Sequence, residues 1–288
     1  MPWPTGSSAR RRRSTPLAEV PGSAETVRCR IEIEALRKTF LANGREVVAV
    51  EDASFRIDDG QFVALLGPSG CGKSTILNMV ATLIAPNGGA IRVDGAPVVP
   101  GRPVRHVGYV FQKDTLFPWR TVEDNIGYAL ELAGVPARER RARVTRAIHQ
   151  AGLDGFDRFY PASLSGGMRQ RVSLMRTLIS QPEILLMDEP FGALDTHTKL
   201  EMHKTLLEIW ERERQTVLFV THDLGEALTL ASRIILLSAR PGRLKEDFDV
   251  AIPRPRDPVD VRETAEFGRL YSHIWHSLGE EFRRTRAE

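Results

Sequence analysis

Apolar and polar positions alternate early in the chain: Ile31, Ile33 and Ala35 against Glu32 and Glu34, then Val47 to Val50 after an Asn43-Gly44 turn signal, then Phe55 and Ile57 ahead of Asp58-Asp59-Gly60. A period of two broken by tight turns predicts antiparallel strands with one face on a core. The pattern then changes. Phe62 to Leu66 is apolar without interruption, as a strand buried on both faces requires, and it enters a glycine-rich loop followed by Ile76, Leu77, Met79, Val80 and Leu83 at helical spacing.

Helical periodicity dominates from about Val122 to Ser180, with breaks at Gly134-Val135-Pro136 and from Gly152 to Pro161. Beyond Pro182, short apolar strands at Ile184 to Met187, Val217 to Val220 and Ile234 to Leu237 alternate with helices predicted over 196–213 and 223–230. Such alternation predicts an α/β fold whose core sheet is mostly parallel, joined to an antiparallel β-subdomain and a helical subdomain. The extended Pro-Arg-Pro-Arg from Pro253 leads to Phe267, Leu270, Tyr271, Ile274, Trp275 and Leu278, an amphipathic helix. The expected organisation is a disordered basic tail over 1–28, a main domain over 29–252 with its helical subdomain at about 113–180, and a linker with a docking helix over 253–288.

Composition adds exclusions. Hydrophobic residues at 42% and charged ones at 27% are ordinary for a globular chain and rule out a fibrous or wholly disordered one. No apolar run approaches the roughly 20 residues of a spanning helix. The net charge of +3 has a local origin, since Arg10 to Arg13 supplies four positive charges and the remainder sums to −1. No basic face with interleaved aromatics accompanies that run, which argues against nucleic acid as a partner. Ser14 to Glu25 lacks the apolar stretch of an export signal. Two cysteines, Cys29 and Cys71, are too few for a disulfide framework and fit a reducing compartment.

The residues with chemical character fall at the ends of the predicted strands. Gly67-Pro68-Ser69-Gly70-Cys71-Gly72-Lys73-Ser74 fits G-x-x-x-x-G-K-S/T between a strand and a helix, and Thr75 follows it. Its glycines let backbone N–H groups turn toward phosphate oxygens, Lys73 neutralises β and γ charge, and the Ser74 hydroxyl suits Mg²⁺. Cys71 reads as a small filler. Asp188 and Glu189 end a strand otherwise fit for burial, so core packing does not account for them; Asp188 suits the metal and Glu189 suits polarising a water. Leu164-Ser165-Gly166-Gly167-Met168 opens another amphipathic helix and makes a second anion site. One nucleotide does not need two such loops from one chain, so the second is expected to serve a partner subunit in a head-to-tail dimer. His273 and His276, spaced i and i+3, lack a third ligand and are read as structural.

Taken in order, these motifs resemble those of the ATP-binding cassette (ABC) ATPases over about residues 31–255. The resemblance implies an adenine-stacking aromatic at Phe40, a Q-loop glutamine at Gln112 that also reaches the metal, a signature at 164–168, Walker B at 184–189, a D-loop ending at Asp195, and a switch histidine at His222. Catalysis would rest on Glu189, Gln112 and His222, and Mg²⁺ on Ser74, Gln112 and Asp188. Phe117-Pro118-Trp119, the run Asp188 to Asp195 and Arg240-Pro241-Gly242-Arg243 look like the nitrate, sulfonate and taurine importer branch. That implies ATP and Mg²⁺ as cofactors, a peripheral place on the cytoplasmic face of the cell membrane, a separate transmembrane permease docked near Phe117 and Trp119, and an indirect solute-binding protein. Met168 replaces the wider family's glutamine, Phe40 its commoner tyrosine, and Thr82 its usual glycine. Rival expectations are a cassette acting on DNA or ribosomes without a permease, against which the 92 residues from Lys73 to Ser165 leave no room for a long coiled coil, and an ATP-gated binding module without turnover, which intact Glu189, Gln112 and His222 disfavour.

Overall fold

The computed structural model describes residues 28–287; the expected tail, apart from Arg28, lies outside the described residues. Strands β1 (Cys29–Ala42) and β2 (Arg45–Asp58) pair antiparallel across the Asn43-Gly44 turn, where both residues take positive φ, 50° and 75°, as that dipeptide favours. Next come β3 (Phe62–Leu66), helix α1 (Lys73–Val80), β4 (Gly88–Val93) and β5 (Ala96–Pro97). The first sheet has the order β2-β1-β4-β5. The alternation expected at its start is corrected at one point. Ala35 is exposed with φ of 44°, and a bulge between Ile33 and Leu36 brings Leu36 to the core in its place. Strict period-two reading has no means of anticipating the extra residue.

The remaining strands, β6 (Val107–Val110), β7 (Ile184–Asp188), β8 (Thr216–Val220), β9 (Arg233–Leu237) and β10 (Leu244–Asp249), join β3 in a second sheet of order β10-β9-β3-β8-β7-β6. All its pairings are parallel except β10 with β9. Phe62, Ala64 and Leu66 enter one apolar core while Val63 and Leu65 enter the other, so β3 is buried on both faces. That accounts for its unbroken apolar run.

Between β6 and β7 lie α2 (Val122–Leu132), α3 (Ala137–Gln150) and α4 (Gly166–Leu178); α5 (Thr196–Glu213) and α6 (Leu224–Leu230) connect the later strands. Four of these helices start on side-chain caps: Thr121, Ser165, Asp195 and Asp223 each accept from a backbone N–H three residues on. Helix α1 stops earlier than its apolar spacing predicts. Leu83 lies exposed beyond it, because Thr82 turns left-handed at φ of 63°. The last helix, α7 (Ala265–Ala287), buries Phe267, Ile274 and Leu278 in the core it shares with α6. Its fully buried Glu281 accepts from the Ala239 amide at 2.8 Å and pairs with Lys245 of β10 at 2.9 Å. On the same helix the His273 ring meets Phe248 and His276 Nδ1 lies 2.6 Å from the Ser272 carbonyl. Among the described residues no helix is long and apolar enough to cross a membrane.

Candidate active site

The loop Gly67 to Ser74 leaves the C-terminal end of β3 and feeds α1, at the strand-end crevice where parallel sheets take their ligands. Gly72 precedes the helix with φ of 96°, and a Cβ there would stand 2.8 Å from the Ala49 carbonyl, so both conformation and space demand glycine. The β9–β10 connection backs the loop. A Cβ on Gly242 would overlap the Cys71 carbonyl, and the Gly242 amide donates to Ala49 at 3.0 Å. Cys71 itself is buried, which pushes its thiol pKa up and keeps it protonated; it packs as filler.

Lys73 donates from Nζ to the carbonyls of Gly67 at 2.8 Å and Pro68 at 2.9 Å, curling back over the loop whose anion it is suited to meet. The Ser74 hydroxyl donates to Asp188 Oδ1 at 2.8 Å. Burial raises the Asp188 pKa; the Ser74 hydrogen bond opposes that, the neighbouring Glu189 charge adds to it, and Lys73 lowers it. Glu189 follows with φ of 45°, a sparsely populated conformation for a non-glycine, held by its amide bonding to Val220 at 3.0 Å. Glu189 Oε2 receives Gln112 Nε2 at 3.1 Å and lies 3.2 Å from His222 Nδ1.

One cleft of about 500 Å³ has Phe40, Lys73, Gln112, Glu189, His222 and Arg240 along its wall, while Asp188 is buried behind Ser74 and does not line it. Ser69, Gly70, Gly72, Ser74 and Thr75 line it as well. Phe40 stands at the rim, 40% exposed, with Lys38 Nζ 5.1 Å from its ring centre. The motifs did not single out Arg240, whose Nε donates to the Gly70 carbonyl at 3.1 Å, nor Val47 and Ala49 beside Phe40. The string Arg240 to Arg243 was the only signal for the former. Oxygen donors from Ser74 and Asp188, with the Gln112 amide nearby, suit magnesium, which takes one or two protein carboxylates and completes its shell with phosphate and water.

The second glycine loop stands apart. Leu164 is buried, the Ser165 hydroxyl accepts from the Met168 amide at 3.2 Å, and Gly166 and Gly167 begin α4; none of the five residues 164–168 lines the cleft. Asp195 likewise lies off the cleft and caps α5, and the Thr198 hydrogen bond holds its carboxyl below the usual range. Helix α4 grips the segment after Gln112: Arg169 pairs with Asp114 at 3.0 Å and Arg176 donates to the Thr115 carbonyl at 2.9 Å. Beyond that segment Phe117 packs edge-on to Tyr128, while Trp119 is 72% exposed.

A family model described as ABC transporter matches residues 50–192. The aliphatic sulfonates import ATP-binding protein of Bacillus cereus is 41% identical over 226 residues, 78% of this chain and 88% of that one. The taurine import ATP-binding protein of Rhizobium johnstonii is 43% identical over 80% of this chain and 89% of its own, and the nitrate import ATP-binding protein of Synechocystis sp. 43% identical over 77% and 83%. Among solved structures, a dimeric ATP-binding cassette in a post-hydrolysis state with ADP and Pi superposes with a TM-score of 0.69 at 30% identity, covering 77% of this chain and all of that one. A phosphate loop and the strand-end carboxylate Glu189 in one cleft, with Asp188 bonded to Ser74 of that loop, together with relatives of this similarity and coverage, establish that the chain belongs to the ABC transporter family and is an ATP-binding cassette ATPase.

Proposed function

We propose that this ATPase energises import of a small anion-type solute, such as a sulfonate, taurine or nitrate, through a separate transmembrane permease. A solute-binding protein would deliver the cargo from the far side of the membrane, leaving this subunit peripheral on the cytoplasmic face. Similarity to three anion-importer subunits supports the solute class. One observation carries the chemistry: Glu189 shares a cleft with the phosphate loop while Gln112 and His222 both hold its Oε2.

In this reading the amides of residues 67–75 and Lys73 bind the ATP phosphates, and Phe40 stacks on adenine. Ser74, Asp188 and Gln112 would hold Mg²⁺, which would supply neutralisation of phosphate charge. Glu189, kept in place by Gln112 and His222, accepts a hydrogen bond from the attacking water with its second oxygen and polarises it. The loop 164–168 completes the nucleotide site of a second copy in a head-to-tail dimer, with Asp195 at the same interface, because it presents amides and a helix N-terminus away from its own cleft. Exposed Trp119, with Phe117 behind it, receives a short permease helix.

Two substitutions test the chemistry. Glu189→Gln should keep ATP binding and lower turnover by roughly 10²-fold to 10⁴-fold, the scale of losing a general base. Lys73→Ala should weaken ATP binding itself, since it deletes a phosphate contact made before hydrolysis. Parent-rate hydrolysis by Glu189→Gln would remove Glu189 from the role.

A further inference from the structure

Behind His222 lies a polar chain that none of the motifs uses. Lys199 sits one turn into α5, its amide bonded to the Asp195 carbonyl at 2.9 Å. Its Nζ lies 2.7 Å from Glu226 Oε1 on α6. Glu226 is only 3% exposed, and its other oxygen accepts from the Thr221 hydroxyl at 2.7 Å. Thr221 Oγ1 in turn accepts from the Asp223 amide at 3.0 Å, and Asp223 Oδ1 accepts from the Glu226 amide at 3.2 Å. His222 is the residue between Thr221 and Asp223, so its backbone is enclosed in a ring of hydrogen bonds anchored on Lys199, whose Nζ also lies 3.9 Å from Asp223 Oδ2.

Such an arrangement is a poor way to gain stability. A buried carboxylate needs an excellent partner to offset its lost hydration, and apolar packing between α5 and α6 would join them at less cost. What the pair supplies is position. Glu226 is satisfied only when Lys199 comes from α5 and Thr221 from the end of β8 at the same time. The Thr221 amide also bonds to Leu65 of β3 at 3.3 Å, which ties the ring to the strand that feeds the phosphate loop. From the ring, His222 reaches Glu189.

We propose that Lys199, Glu226 and Thr221 are positioning residues, fixing His222, and through it the Glu189 carboxylate, relative to the Asp195 turn that begins α5. Movement of that turn is thereby felt at the water-polarising carboxylate. The inference rests on the roles proposed above for His222 and Glu189, and it adds residues that touch neither nucleotide nor water.

Steady-state ATP hydrolysis by the full-length protein tests it, with thermal unfolding measured on each variant. Lys199→Met should lower kcat by roughly 10-fold to 10²-fold, the scale of a small displacement at a reacting group, with KM for ATP nearly unchanged. Lys199→Arg, which keeps a charged donor, should recover most of the loss. The neutral pair Lys199→Met with Glu226→Gln leaves no orphaned charge and should regain Tm while kcat stays low; it also carries the test if Lys199→Met alone is too unstable to purify. On a His222→Ala background, Lys199→Met should cost little more, because its route to Glu189 is already cut. Recovery of kcat together with Tm in the neutral pair, or an undiminished further loss on the His222→Ala background, would overturn the positioning role. If His222→Ala alone turns over at the parent rate, the proposed role of His222 falls first and this inference falls with it, an outcome separate from the other two.

Discussion

His203 shows how a single buried group sets a pH limit. It lies on α5 fully buried, edge-on to Phe191, with neither ring nitrogen hydrogen-bonded. Burial depresses its pKa to about 3, with Lys199 and Arg262 adding to the effect and Asp223 opposing it. The folded imidazole therefore stays neutral while an unfolded one protonates near 6.5, so the stability it allows is complete above that value and is lost as pH falls toward 3. Each pH unit in that window should cost roughly 1.4 kcal/mol from this residue. His203→Leu should remove that slope and, by deleting two unsatisfied nitrogens, be no less stable at neutral pH; urea midpoints at pH 7.5, 6 and 5 measure both, and parallel pH profiles for the two proteins would contradict the neutral buried imidazole. Thr82 gives a second residue-scale case. It stands in a left-handed conformation that favours glycine, and its hydroxyl donates to the Arg102 carbonyl at 2.9 Å. Threonine is strained in this backbone and compensated by that bond, so Thr82→Val, which keeps the strain and loses the donor, should be destabilised by about 1–2 kcal/mol. Thr82→Gly should be the more stable of the two variants in thermal unfolding.

At the scale of elements, exposure separates two aromatics that the chain places two residues apart. Trp119 in the turn before α2 is mostly in solvent, so Trp119→Ala should change stability by no more than about 0.5 kcal/mol and leave basal ATP hydrolysis at the parent rate. Permease binding and solute-stimulated turnover should be lost if it is the docking residue; a well-folded Trp119→Ala protein that still drives its permease would move the docking surface elsewhere. Phe117 packs on Tyr128 and beneath Arg176, so part of its role is internal, and Phe117→Ala should lower Tm as well. The difference between these neighbours is invisible in the string Phe-Pro-Trp, because it depends on α2 folding back over one ring only. Legibility elsewhere follows the same division. The phosphate loop, its strand and its helix are readable because motif, burial and periodicity coincide within a few residues. Strand β10 is not, since its six residues are at most half-buried and mostly charged, and only pairing with β9 makes them a strand. The bulge at Ala35 and the early end of α1 are likewise tertiary choices that local periodicity does not encode. Within the site, the string Arg240 to Arg243 is legible but the place of Arg240 at the cleft is not, because its contact with Gly70 spans 170 positions.

For the whole molecule, the decisive feature is that the two glycine loops of one chain do not share a cleft. If each loop at 164–168 completes the site of another copy, a dimer contains two composite sites, each built from the phosphate loop of one subunit and the signature loop of the other. Ser165→Arg should then leave nucleotide binding intact yet prevent the ATP-dependent dimer that Glu189→Gln otherwise accumulates, a difference that size measurements detect. Mixing provides a sharper test. Neither Ser165→Arg nor Lys73→Ala homodimers hold an intact composite site, but a mixed dimer joins the sound phosphate loop of the first to the sound signature loop of the second. In its other site the added arginine enters a pocket from which a lysine has been removed, so closure meets less repulsion there. With random pairing, half the dimers are mixed and half of their sites are intact, and an equal mixture should hydrolyse ATP at about a quarter of the parent rate. A loop that served its own subunit permits no such recovery, because each chain would then carry its own defect into every dimer. Hydrolysis in the mixture no higher than in either variant alone would therefore place the signature loop in the site of its own chain and end the head-to-tail reading.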